Sequence, residues 1–161
     1  MTRALFDRGR LTDWLITTHL APLTVLTTPV LVGDGEAPEA GGWPGGEVGD
    51  GDFQPYITLA TGPGKPDSTA LSSREAETWV LRYTVQSFGG LRKQGDWVAD
   101  LARTTWTSIR DARIDLGTEK QWKAYQFQVA SMGALSRNDQ VRPPYWQVAD
   151  EMVLTLTPCR T

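Results

Sequence analysis

Polar and apolar positions alternate along residues 79–88. Val80, Arg82, Thr84 and Gln86 take one parity; Trp79, Leu81, Tyr83 and Val85 take the other, with Phe88 shifted by one. Successive strand side chains point to opposite faces, so this period of two marks a strand with one buried face. The residue types also favour strands. Gly89-Gly90 ends the run, and the period changes. Trp97, Leu101, Thr105 and Ile109, with Val98, Ala102 and Trp106 beside them, recur at three and four. That is the spacing of one helical face. A half-buried strand feeding an amphipathic helix has two apolar faces to cover, and laying the helix across its own sheet covers both.

The remaining segments add to this strand–helix unit. Residues 2–20 read as a first helix, with a stripe of Leu5, Leu11, Trp14, Leu15 and Ile16. Gly9 is an internal weak point that makes a start near Arg10 an alternative, and Pro22 limits the other end. Residues 28–33 read as a short strand and residues 53–62 as a second. Residues 122–132 give a fourth, with Trp122, Ala124, Gln126 and Gln128 on one parity and Tyr125, Phe127 and Val129 on the other. Residues 133–141 form an exposed hairpin loop. Arg142-Pro143-Pro144-Tyr145 cannot be mid-sheet, because proline has no N–H for the ladder. Residues 146–157 are a long last strand. The order predicts one α+β domain over residues 1–161, with a mostly antiparallel sheet of about five strands and two helices on one face.

The apolar content of 40% supports a packed core, and the net charge of -3 argues against a general nucleic-acid binder. The charge is uneven. Asp34, Glu36, Glu39, Glu47, Asp50 and Asp52 fall within residues 33–52, which hold no Lys or Arg. That Gly- and Pro-rich stretch is expected to be a flexible loop. Trp43 is its large apolar residue: it either anchors another surface or folds back on its own domain. No apolar run reaches the ~18–20 residues of a membrane span, and the N-terminus has no secretory pattern. The chain is therefore expected to be made in a cytoplasm.

Reactive patterns are sparse. The single cysteine, Cys159, excludes an internal disulfide and a Cys-rich metal site. The single histidine, His19, is expected to be a cation near a helix C-terminus. Residues 62–66 superficially resemble a phosphate loop, but Leu59 and Pro66 occupy positions where the motif needs Gly and Ser or Thr. Asp50-Gly51-Asp52 is a fragment of a calcium loop without its terminal Glu. Asp96 with Asp100 lies at helical spacing on a solvated face, and Asp150-Glu151 points to opposite faces of a strand. Acid–base catalysis needs groups that converge. No enzyme, cofactor or metal is therefore expected. Of the seven tryptophans, Trp14, Trp79, Trp97 and Trp106 fit apolar faces and are expected in the core; Trp43, Trp122 and Trp146 lie near loops or strand starts.

The layout resembles a known family. An amphipathic N-terminal helix leads to a Val30-Leu31-Val32 strand and a long Gly-rich excursion. The strand Trp79–Phe88, read Trp-Val-Leu-Arg-Tyr-Thr-Val-Gln-Ser-Phe-Gly-Gly through Gly90, runs into Asp96-Trp97-Val98-Ala99-Asp100-Leu101. Pro143-Pro144-Tyr145 precedes the strand Ala149–Leu156. This resembles the tail terminator proteins of long-tailed bacteriophages, most of all those from phages of actinobacteria. The resemblance implies a structural virion protein of the tail and neck, assembled in the host cytoplasm. It implies a homo-oligomer, a hexameric ring, that caps the tail tube protein, ends tube growth and meets the head–tail connector. DNA would pass through the lumen without specific binding, and no catalysis is required. On this basis Trp43, Arg137, Asn138, Arg142, Tyr145 and Trp146 are the expected contact residues. Another neck component, a head-completion stopper or tail-completion protein, is the nearer alternative. A small α+β enzyme or ligand-binding domain is the remote one.

Overall fold

The computed structural model describes residues 6–25, 27–44, 53–66, 78–118, 121–141 and 143–159. The chain opens with helix α1 (Arg8–Trp14), which runs on into a π-helical turn (Leu15–Leu20). Then come β1 (Thr24–Val25), β2 (Thr28–Pro29), β3 (Leu31–Asp34), β4 (Tyr56–Pro66) and β5 (Trp79–Gly89). Helix α2 (Arg92–Ser108) follows, then β6 (Ala112–Ile114), β7 (Trp122–Ser131), β8 (Ser136–Asn138) and β9 (Tyr145–Pro158).

Among the described residues the class is α+β, and the main sheet has seven strands rather than about five. Its order is β3-β4-β5-β9-β7-β6, with β8 paired to the start of β9 beside β7. Only β3 with β4 is parallel. The extra strands explain the miscount. β6 and β8 are three residues each, too short for an alternating pattern to show. The strand expected over residues 28–33 is two pieces. Thr28–Pro29 forms a separate ribbon with β1, and Leu31–Asp34 joins the main sheet. Between them Val30 is buried, and its N–H bonds the Leu23 carbonyl at 2.9 Å.

The buried parity of β5 is Leu81, Tyr83 and Val85, as the alternation requires, and α2 crosses this face. The helix buries Gly95, Val98, Ala99, Ala102 and Trp106. Trp106 has no exposed surface; its indole N–H donates to the Val153 carbonyl, and its ring meets Tyr83 and Phe127 edge-on. Trp97, expected in the core, is 46% exposed. The rows 97–101–105 and 98–102–106 lie about 100° apart on a helix of 3.6 residues per turn. The second row faces the sheet, so the first turns toward solvent.

Helix α1 arrives on the same face. Its Leu11 and the following Leu15 and Leu20 enter the same core, and the Thr12 and Tyr83 hydroxyls lie 3.4 Å apart in a hydrogen bond. Tyr83 therefore touches both helices. The helix starts where Asp7 caps it, accepting from the N–H groups of Gly9 and Arg10. Residues 2–5 of the expected first helix lie outside the described residues. At the sheet, a Cβ on Gly89 would sit 2.4 Å from the Gly95 nitrogen, so glycine is what lets α2 approach this closely.

In β7 the expected parity fails partway. The register shifts between Ala124 and Gln126, leaving Tyr125 out of the ladder. Trp122, Ala124 and Phe127 all become buried on the helix face, while Tyr125 is exposed. A one-residue bulge exchanges the two faces beyond it.

Candidate interaction surface

The sheet face opposite the helices carries the second parity of each strand. Across it run Thr58 and Ala60 of β4, Arg82, Thr84 and Gln86 of β5, Ala149, Glu151, Val153 and Thr155 of β9, and Gln126 and Gln128 of β7. The Thr84, Gln86, Gln126, Gln128 and Ala149 side chains are exposed. The central charges on this face, Arg82 and Glu151, are hydrogen-bonded to each other. No helix among the described residues covers it.

One end of this face is closed by a second apolar cluster of Phe53, Tyr56 and Phe88, with Leu31, Trp43 and Tyr145 packed on it. Tyr56 and Phe88 are opposite in register, and their rings stack with centroids 4.4 Å apart. Trp43 meets Phe53 edge-on, and Tyr145 meets Phe88 edge-on. Burial pushes the Tyr56 phenol up to about 12, and the neighbouring Tyr145 adds to the shift.

Three of the expected contact residues converge here from distant stretches. Trp43 is half-buried and donates its indole N–H to the Pro144 carbonyl at 3.1 Å. Asn138 reaches the Tyr145 hydroxyl at 3.4 Å. Trp43 thus folds back on its own domain, the second of the two placements the sequence allowed. Arg137 pairs with Trp146 in the β8–β9 register, is exposed, and holds Asp139 at 3.0 Å. Trp146 belongs to the helix face: a Cβ on Gly95 would lie 3.3 Å from its Cβ. Arg142 lies outside the described residues. Of the acidic stretch, residues 33–44 are tied to the domain, with Gly42 and Gln54 exchanging backbone hydrogen bonds of 2.9 and 2.8 Å. Residues 45–52 lie outside the described residues.

The carboxylates are committed elsewhere. Asp150, 1% exposed, accepts from Arg103 Nε at 2.7 Å and Nη2 at 2.9 Å, and from the Gly133 N–H at 2.8 Å. Those bonds to Asp150 raise the Arg103 pKa. Glu151 faces the other way, toward Arg82. Sequence reasoning missed the Asp150 anchor, although its parity, shared with Val148, Met152 and Leu154, signals a buried acid that needs a cation. It also missed the Phe53–Tyr56–Phe88 cluster, in which Phe88 comes from the neighbouring strand. His19 corrects another expectation. Its ring lies edge-on to Trp14 at 4.6 Å, and burial lowers its pKa, which disfavours the expected cation.

A shallow groove beside the aromatic end is lined by Gln86, Gly133, Ala134, Ser136, Gln147 and Ala149, with no titratable side chain. No group of three or more His, Cys, Asp or Glu is placed to hold a metal among the described residues. Nor is any helix among them long and apolar enough to cross a membrane. No protein-family model matches the chain, and no curated protein matches it.

Proposed function

We propose that the chain is a structural subunit of a phage neck, a tail terminator. Copies close into a ring on the end of the tail tube, block the addition of further tube subunits, and offer the opposite side to the head connector. The observation that carries this proposal is the sheet face that no helix among the described residues covers. It is broad, lined by Thr, Gln, Ala and Val, and its central charges neutralise each other. Such a surface binds by shape and leaves no free charge to be stranded when it is covered. The aromatic cluster fixes the loop around Trp43 and the β8–β9 hairpin at one end of it, so those segments reach a partner as a shaped rim.

Catalysis has little support beside this. Asp150 and Glu151 are each held by an arginine, on opposite faces, and do not converge. The groove near Gln86 offers no acid, base or thiol.

Deletion of the gene from its phage tests the proposal. A terminator deletion gives overlong or unjoined tails. Tails of normal length with leaking heads would reassign the chain to the stopper role. In solution, the purified chain mixed with tube protein is expected to sediment as rings on tube ends. A chain that stays single beside tube ends would overturn the proposal.

A further inference from the structure

The outermost strands of the main sheet are β3 and β6, at opposite ends of its order. Among the described residues each pairs on one side only, β3 with β4 and β6 with β7. A free edge presents unpaired N–H and C=O groups to another chain. The N–H groups of Leu31 in β3 and of Gly35 just after it bond β4-side carbonyls, Pro55 at 3.1 Å and Leu59 at 3.0 Å. Alternate residues, Val32 and Asp34, therefore turn their backbone groups outward.

The two edges carry opposite charge. Asp34 and the following Glu36 and Glu39 are exposed, and none is in an ion pair among the described residues. Beside β6 the acids are matched: Asp111 holds Lys123 at 3.0 Å, and Asp115 lies 3.9 Å from Arg10. The cations there are not matched. Arg110 and Arg113 are exposed, and neither meets a carboxylate among the described residues.

We infer that the partner of each edge is a second copy of this chain. The acidic β3 edge of one copy adds to the basic β6 edge of the next. The two edges are different surfaces on opposite sides of one sheet, so the contact is head-to-tail and closes into a ring where the rotation per copy permits. Strand addition supplies backbone hydrogen bonds, and the charges set which edge meets which. Each edge is only three or four residues long, so one contact is weak and the closed ring supplies the avidity. The inference rests on the ring proposed above and assigns its interface.

Paired cysteines test it. The full chain carrying Cys159→Ser with Asp34→Cys and Ala112→Cys together, both on the helix face of the sheet, is oxidised at tube ends. A reducible ladder of covalent multimers is expected; either new cysteine alone gives nothing beyond a dimer. A second arm uses exposed charges only. Arg110→Glu with Arg113→Glu should weaken self-association about tenfold, and adding Asp34→Lys and Glu36→Lys to the same chain should restore it. If wild-type rings form while the ladder is absent and the reversals change nothing, the edge assignment is wrong and the ring stands. If the wild-type chain never associates, both fall together.

Discussion

At the scale of single residues, Asp150 is the most constrained polar group described. A carboxylate with 1% exposure is tolerable here because a guanidinium meets both its oxygens and the Gly133 N–H bonds it as well. Removing one member of such a pair leaves a buried charge uncompensated, at a cost of about 3–5 kcal/mol. Arg103→Met, which strands the Asp150 carboxylate, should lose that much in urea unfolding; Asp150→Ala should lose less, because Arg103 keeps its 3.1 Å contact to Asp100. Adding Asp150→Leu to Arg103→Met should recover most of the loss, and a loss below ~1 kcal/mol for Arg103→Met would mean that the pair is wetter than its geometry implies. His19 makes a prediction with a definite sign. Its folded pKa is lowered by burial, so the folded state favours the neutral ring. The stability this gives is present above the unfolded value of about 6.5 and is lost as pH falls through the folded pKa. Melting temperature should drop on acidification below that range, and His19→Gln should flatten the drop. An unchanged slope in the variant would assign acid sensitivity to the carboxylates instead.

At the scale of elements, the strand–helix unit was legible because both of its periods are long: eleven residues of β5 and seventeen of α2. The phase of the helix was harder to read. Rows starting at Trp97 and Val98 are both apolar, and the sheet selects the one whose small members, Gly95, Ala99 and Ala102, permit close approach. Trp97→Gln should therefore change stability by no more than about 0.5 kcal/mol, whereas Trp106→Ala should cost about 3–5 kcal/mol. Equal costs would show that the helix is rotated from its described phase. Gly89→Ala makes the same contact visible from the strand side. Its methyl would meet backbone at 2.4 Å. Backbone cannot rotate aside as a side chain can, so a loss of about 1–3 kcal/mol is expected in thermal or urea unfolding. The elements that escaped sequence reading are those held by partners rather than by their own pattern. β6 borrows its place from β7, and β8 from β9. The bulge at Tyr125 is set by pairing with β9, which the alternation in β7 alone cannot reveal.

At the scale of the whole molecule, three surfaces differ in kind. One sheet face is buried under both helices. The other is broad and locally neutral, since Arg82 and Glu151 satisfy each other. The two edges are narrow and oppositely charged. This division was illegible in the sequence because Asp34 and Arg113 acquire their meaning from strand order, which places β3 and β6 at opposite ends of one sheet. It also separates two ways for copies to associate. Edge-to-edge contact uses exposed charges and should weaken as salt rises, because the Debye length falls from ~10 Å at 0.1 M to ~3 Å at 1 M. Contact through the neutral face buries Thr, Gln, Ala and Val, and should hold or strengthen in a salt such as sulfate, which favours burial. Sedimentation velocity of the full chain across sodium chloride and then sodium sulfate distinguishes them. Self-association that falls in chloride and is not rescued by sulfate places the copies edge to edge and leaves the neutral face for the tube. Association that rises in sulfate and ignores chloride would place the copies face to face and leave the charged edges for other neck proteins.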